Sequence, residues 1–101
     1  SIEDNKSGGW YSYRSSKAAQ NMLTKNLAIE LSMSSKFSTL CVSLHPGTVD
    51  TDLSKPFSRN IDKDNLFTPE ECVKNLIKVI NNLKEADNGN FFDWSGKKIP
   101  W

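Results

Sequence analysis

The sequence predicts an α/β fold, one part of a doubly wound parallel sheet, in the order helix, strand, loop, helix, strand. Three observations point there. A long apolar-periodic helix opens the chain, a short run of strand formers is apolar almost throughout, and a strand–helix–strand portion closes it. Continuous apolar character suits a strand covered on both faces, as in parallel sheets. The closing portion has the length and pattern of a right-handed βαβ unit.

Each element has its own signal. Gly8-Gly9 marks a turn, and the stretch from Tyr11 to about Ser34 reads as a helix with neither proline nor glycine inside it. Ala19, Leu23, Leu27 and Leu31 recur every four residues, bordered by Met22, Ala28 and Met33. Such a face can pack closely on a neighbour, within a subunit or across two. Thr39–His45 is rich in strand formers and stops at the breaker Pro46-Gly47. Thr48–Leu66 is polar and loop-like. Thr68-Pro69-Glu70-Glu71 is a helix start, with Thr68 as N-cap, Pro69 at the first helical position and Glu71 three residues past the cap. The helix continues through Val73, Leu76, Ile77, Ile80 and Leu83. Asn88-Gly89 ends the next loop, Asn90–Trp94 reads as a strand, and Ser95-Gly96 turns into the tail.

At 101 residues the chain supports one small domain with a modest core. Two parallel strands alone leave edges and faces uncovered, so residues 1–101 read as part of a larger sheet whose neighbours are not in this chain. A small α+β domain complete in itself is the alternative. The start at Ser1 fits a processed product, an expressed segment or the back half of a longer protein.

Composition excludes several classes. A net charge of +1 with no basic stripe gives no nucleic-acid surface. No apolar run approaches the roughly 20 residues that span a bilayer, and no signal peptide opens the chain. Cys41 and Cys72 are unclustered, as in reduced cysteines of a cytoplasmic protein. With the lone His45 they lack ligand spacing, so no metal is expected.

Tyr13 and Lys17 carry the most chemistry. Residues four apart share a helix face, with Cβ atoms about 5–6 Å apart. An ammonium there favours the ionised form of a phenol whose free pKa is about 10. A second positive charge, such as an oxidised nicotinamide ring, adds to that effect. The plain alternative is an exposed lysine beside a packed ring.

Three segments coincide in order: Ser1-Ile2, then Tyr13-Arg14-Ser15-Ser16-Lys17-Ala18-Ala19, then His45-Pro46-Gly47-Thr48-Val49-Asp50-Thr51. Together they resemble the C-terminal half of a short-chain dehydrogenase/reductase, with its Y-x-[SA]-S-K-[AG]-A and P-G-x-[VI]-x-T marks. Gly8–Arg14, Leu44–Ser54 and the Phe92-to-Trp101 ending resemble the C-factor and sniffer-type carbonyl reductases within it. The resemblance implies a Rossmann-like sheet and an enzyme that reduces a carbonyl, or oxidises an alcohol, by hydride transfer. Tyr13 would be general acid or base. Lys17 would bind the nicotinamide ribose hydroxyls and lower the Tyr13 pKa, and Ser1 would polarise the substrate oxygen. Pro46 and Gly47 would let the backbone approach the cofactor, with the backbone of Val49 and the hydroxyl of Thr51 meeting the carboxamide. The Ser1 spacing of twelve is one short of the family's usual thirteen. His45 reads as structural rather than as a proton relay.

The family's glycine-rich T-G-x-x-x-G-x-G turn is not in these residues, nor is the residue that selects NAD or NADP. The resemblance therefore implies NADP or NAD, NADP slightly favoured, in a full-length homo-oligomer with a small-molecule carbonyl or alcohol substrate. The 101 residues alone are expected to be inactive. Pro56, Phe57 and Phe67 suggest apolar lining of a substrate pocket, which Trp10 and Tyr11 could border; Trp94 and Trp101 would cover the core or meet a second subunit. The competing reading is a non-catalytic C-factor-like signalling or interaction module.

Overall fold

The computed structural model describes residues 1–34, 38–56 and 61–101. Helix α1 spans Tyr11–Met33 and is followed by β1 (Ser43–His45) and β2 (Thr48–Val49). A 3-10 turn at Lys63–Asn65 leads into β3 (Leu66–Phe67), then α2 (Pro69–Asn81), a second 3-10 turn at Glu85–Asp87, and β4 (Phe91–Asp93). β1 and β4 pair in parallel, Ser43 against Phe91 and His45 against Asp93, with α2 lying between them in sequence. The strand–helix–strand expectation is met.

The start of α2 forms as its sequence signals. The Thr68 hydroxyl accepts the Glu71 N–H at 3.2 Å and the Glu71 carboxylate accepts the Thr68 N–H at 2.9 Å, a reciprocal capping box with Pro69 at the first helical position. The inward side of α2 is narrower than its apolar stripe. Cys72 and Val79 are buried and Leu76 half-buried, whereas Val73, Ile77 and Ile80 are exposed.

The leucine side of α1 is left uncovered by these residues: Leu23 is 63% exposed and Leu27 49%. The helix docks instead through small residues. Ala28 is its one buried residue, at 2% exposure. Ser43 Oγ of β1 donates to Thr24 Oγ1 at 2.9 Å. Asn88 clasps the same region, its side chain donating to the Ala28 carbonyl at 2.9 Å and accepting the Cys41 N–H at 2.9 Å. Gly89, at φ +72°, comes so close that an added Cβ would lie 3.2 Å from that of Ala28. Small side chains allow this approach, and hydrogen bonds across it supply the specificity.

The Thr39–His45 strand reading is corrected in length. Only Ser43–His45 is paired, because β4 offers three partner residues. Residues 48–67 are not wholly loop, for β2 and β3 pair in parallel, Thr48 with Leu66 and Val49 with Phe67. The tail doubles back on β4. Ile99 donates to the Phe91 carbonyl at 2.9 Å, Asp93 to the Lys97 carbonyl at 2.9 Å, and Trp101 stacks on Phe91 with ring centroids 5.7 Å apart. Phe91 and Phe92 are both buried.

Candidate active site

Tyr13 stands in the first turn of α1 and is 53% exposed. Lys17 follows one helical turn later, its Nζ 5.7 Å from the Tyr13 ring centroid and 3.4 Å from Gln20 Oε1. Trp10 caps the helix in a left-handed conformation, φ 56° and ψ 39°, which a bulky residue rarely adopts. That conformation sets its ring edge-on to Tyr13, centroids 6.4 Å apart. Arg14 fastens the preceding turn, with Nε donating to the Gly9 carbonyl at 3.1 Å and the guanidinium to Ser7 Oγ at 3.2 Å.

The second cluster is the turn after β1. Gly47 has φ +78°, and a Cβ there would meet Phe67 Cε2 at 2.7 Å and Trp94 Cδ1 at 3.0 Å. Both the conformation and the space demand glycine. His45 Nδ1 accepts the Gly47 N–H at 3.0 Å, and the Cys72 thiol approaches the Pro46 carbonyl at 3.8 Å. Val49 lies in β2, and the next residue, Asp50, donates its N–H to the Phe67 carbonyl at 2.9 Å. The exposed Thr51 begins a turn whose carbonyl accepts the Ser54 N–H at 3.0 Å and the Ser54 hydroxyl at 3.0 Å.

Ser1 belongs to neither the Tyr13–Lys17 pair nor α1. Its hydroxyl donates to the backbone oxygen of Trp101 at 3.0 Å and accepts the Asp4 N–H at 3.3 Å. It borders an open cavity of about 420 Å³ with His45, Gly47, Thr48, Asp93 and Trp94. Among the described residues, no hydrogen bond or ring contact joins Tyr13 and Lys17 to the Pro46–Thr51 turn. Phe57 lies outside the described residues, while Phe67 packs edge-on against Trp94, centroids 4.7 Å apart.

Asp93 ends β4 beside this cavity. Burial pushes its pKa up, but this is outweighed by the Ser95 hydroxyl, the N–H groups of Lys97 and Ser95, and the Lys97 charge, which hold it below the ordinary carboxylate value. The two hydrogen bonds from Ser95 and the one from Lys97 all fall on Oδ1, at 2.7–3.0 Å. No group of three or more His, Cys, Asp or Glu is placed to hold a metal ion among the described residues, and no helix there is long and apolar enough to cross a membrane.

Sequence reading missed the contact of His45 with Gly47 and the two rings closed over that glycine. A side-chain acceptor two residues ahead of a turn glycine was the available signal for the first. The rings come from β3 and β4, and nothing local announces them.

No family model matches the chain. It is 43% identical over 101 residues to the 1-hydroxy-2-glutathionyl-2-methyl-3-butene dehydrogenase of Rhodococcus sp. (strain AD45), covering all of this chain and 42% of that protein. It is 35% identical to the C-signal of Myxococcus xanthus, covering all of this chain and 55% of that protein. The structure matches the NADPH-bound carbonyl reductase from chicken fatty liver with a TM-score of 0.84 and 38% identity, over all of this chain and 38% of that one. It also matches the carbonyl reductase Sniffer of D. melanogaster, with a TM-score of 0.83 and 34% identity, over all of this chain and 37% of that one. Over its whole length the chain matches part of oxidoreductases of the short-chain dehydrogenase/reductase type. Its parallel α/β arrangement is part of the Rossmann-like sheet of these reductases, and it spans about half or less of the length of the relatives it matches. Within the short-chain dehydrogenase/reductases it resembles the C-factor and sniffer-type members.

Proposed function

We propose that residues 1–101 are the acid/base portion of an NADP(H)- or NAD(H)-dependent carbonyl reductase, whose dinucleotide-binding half lies in other residues of the complete protein. The observation that carries this reading is the Lys17 ammonium 5.7 Å from the Tyr13 ring centroid, at the exposed start of α1. The NADPH bound by the chicken carbonyl reductase supports NADP(H) as the cofactor. The non-catalytic signalling alternative is not supported.

The donor set suits a nicotinamide nucleotide. Lys17 offers three N–H donors to a ribose diol, Tyr13 a phenolic O–H, Thr51 an exposed hydroxyl, and Gly47 a side-chain-free turn. When bound, the cofactor supplies the hydride and, once oxidised, a positive charge. Tyr13 gives the proton of its hydroxyl to the carbonyl oxygen in reduction and takes one from the alcohol in oxidation. Lys17 holds the ribose and keeps a positive charge beside the phenol. Pro46 and Gly47 turn the backbone so that Val49 and Thr51 meet the carboxamide.

Ser1 is the proposed carbonyl-polarising donor, but its one O–H is committed to the Trp101 oxygen. It must rotate away before serving a substrate, so Tyr13 and Lys17 carry most of the reading. The substrate is a small-molecule carbonyl or alcohol. The same reading carries a cytoplasmic homo-oligomer, for which the exposed leucine and methionine side of α1 is an available surface.

The test is Tyr13→Phe in the complete protein. NADPH-dependent carbonyl reduction should fall by roughly 10²-fold or more, the scale of lost general acid catalysis, while NADPH affinity stays within about twofold. Retained turnover overturns the assignment.

A further inference from the structure

We propose that His45 is a positioning residue for the turn that faces the cofactor, acting through Nδ1 and not through Nε2. The inference rests on the functional reading above, because it concerns how Val49 and Thr51 are presented.

His45 ends β1, where pairing with Asp93 fixes its backbone. Its Nδ1 accepts the Gly47 N–H at 3.0 Å, across two residues. An acceptor nitrogen carries no proton, so the neutral ring is the Nε2–H tautomer. The bond has the i to i+2 geometry by which Asn and Asp side chains build a turn on their own backbone. Proline at position 46 has no N–H to offer. The Gly47 N–H is thus the first backbone donor after β1, and His45 takes it. This matters because Gly47 is confined on its other side: the Phe67 and Trp94 rings occupy the place of a Cβ. The rings block one direction and the imidazole holds the other. Together they set where Thr48 starts β2, and hence where the Val49 backbone and Thr51 lie.

Other features carry less. The exposed leucine side of α1 has nothing seated on it. The groove between α2 and β4 is lined by Asn75, Lys78, Phe92 and Gly96 among others, and among the described residues no buried side-chain polar atom is left without a partner.

Substitution separates the two ring nitrogens. In Asn the amide oxygen stands where Nδ1 stood, one bond from Cγ. In Gln it reaches the Nε2 position, and Leu retains the branched shape at Cγ with no acceptor. The variants are made in the complete protein, with NADPH affinity measured by titration and Gly47 amide exchange by NMR. His45→Leu should weaken NADPH binding roughly three- to tenfold, the scale of one lost hydrogen bond. Gly47 exchange should accelerate by a similar factor. His45→Asn should restore both, and His45→Gln neither.

Rescue by Gln but not Asn assigns the role to Nε2 and overturns the proposal, as does wild-type behaviour in both Leu and Gln variants. Should His45→Leu fail to fold, the Asn-against-Gln comparison decides alone. If the wild-type protein binds no NADPH while Gly47 exchange follows the expected order, the turn-setting role stands and the cofactor reading fails.

Discussion

Phe67 and Trp94 meet edge to face, ring centroids 4.7 Å apart, over the Cα of Gly47. Two elements far apart in sequence thereby close on one backbone position. Gly47→Ala would force a methyl to within 2.7 Å of Phe67 in a left-handed conformation. The two penalties together amount to about 2–5 kcal/mol. Urea unfolding of the complete protein should show a loss of that size, with NADPH affinity falling as well. An unchanged midpoint would mean that the rings move aside freely.

The capping box at α2 rests on one hydroxyl. Thr68→Ala should cost about 1 kcal/mol, whereas Thr68→Ser keeps the acceptor and most of the stability. Thermal melts of the two variants side by side check the difference. Equal losses would assign the effect to the Thr68 methyl group.

Asn88 is the one side chain that hydrogen-bonds both the Cys41 N–H and the Ala28 carbonyl. Replacing it with alanine strands the part-buried Cys41 N–H, at about 1–3 kcal/mol if water fails to reach it, while the Ala28 carbonyl loses a second donor but keeps its bond within the helix. Hydrogen exchange should quicken at the Cys41 amide and through the last turns of α1. Asn88→Asp preserves the acceptor but not the donor, so it should leave Cys41 protected while loosening α1.

Asp93 links stability to pH. Its folded pKa lies below the ordinary value, so the folded state binds its proton less readily than the unfolded chain. The stabilisation is therefore fully present above the unfolded value of about 3.9 and is lost as pH falls through the lower folded value. Ser95→Ala removes the hydroxyl donor to Oδ1 and should shrink the difference in stability between pH 7 and pH 3. Denaturant unfolding at the two pH values measures it; an unaltered difference would mean that the Ser95 hydroxyl contributes nothing.

The parts of the molecule that sequence foretold are those in which a few neighbouring residues determine the geometry. The Thr68–Glu71 box, the span of α1 and the Tyr13–Lys17 spacing are all consequences of local helical geometry. β2 and β3 were illegible because two-residue strands have no periodicity, and their pairing depends on a return over the intervening residues. The docking side of α1 was legible only in part. A helix with leucines on one side and Thr24 and Ala28 on another has two faces able to pack, and hydropathy ranks the leucine face first. Within residues 1–101, close backbone approach at Gly89 and hydrogen bonds from Ser43 and Asn88 engage the small one, and the leucine face is left uncovered. The Gly47 cradle stayed hidden because Pro-Gly announces a turn without saying which rings will close on it.

The two anchorage points of α1 make the helix a cantilever. Thr24 and Ala28 stand about 6 Å apart along its axis, and Tyr13 lies roughly 16 Å beyond the nearer of them at 1.5 Å per residue. A displacement of one anchor relative to the other is thus magnified more than twofold at the phenol. Within these residues the aim of Tyr13 depends on contacts near the other end of the helix, and an added methyl at Gly89 is a way to shift it without touching it.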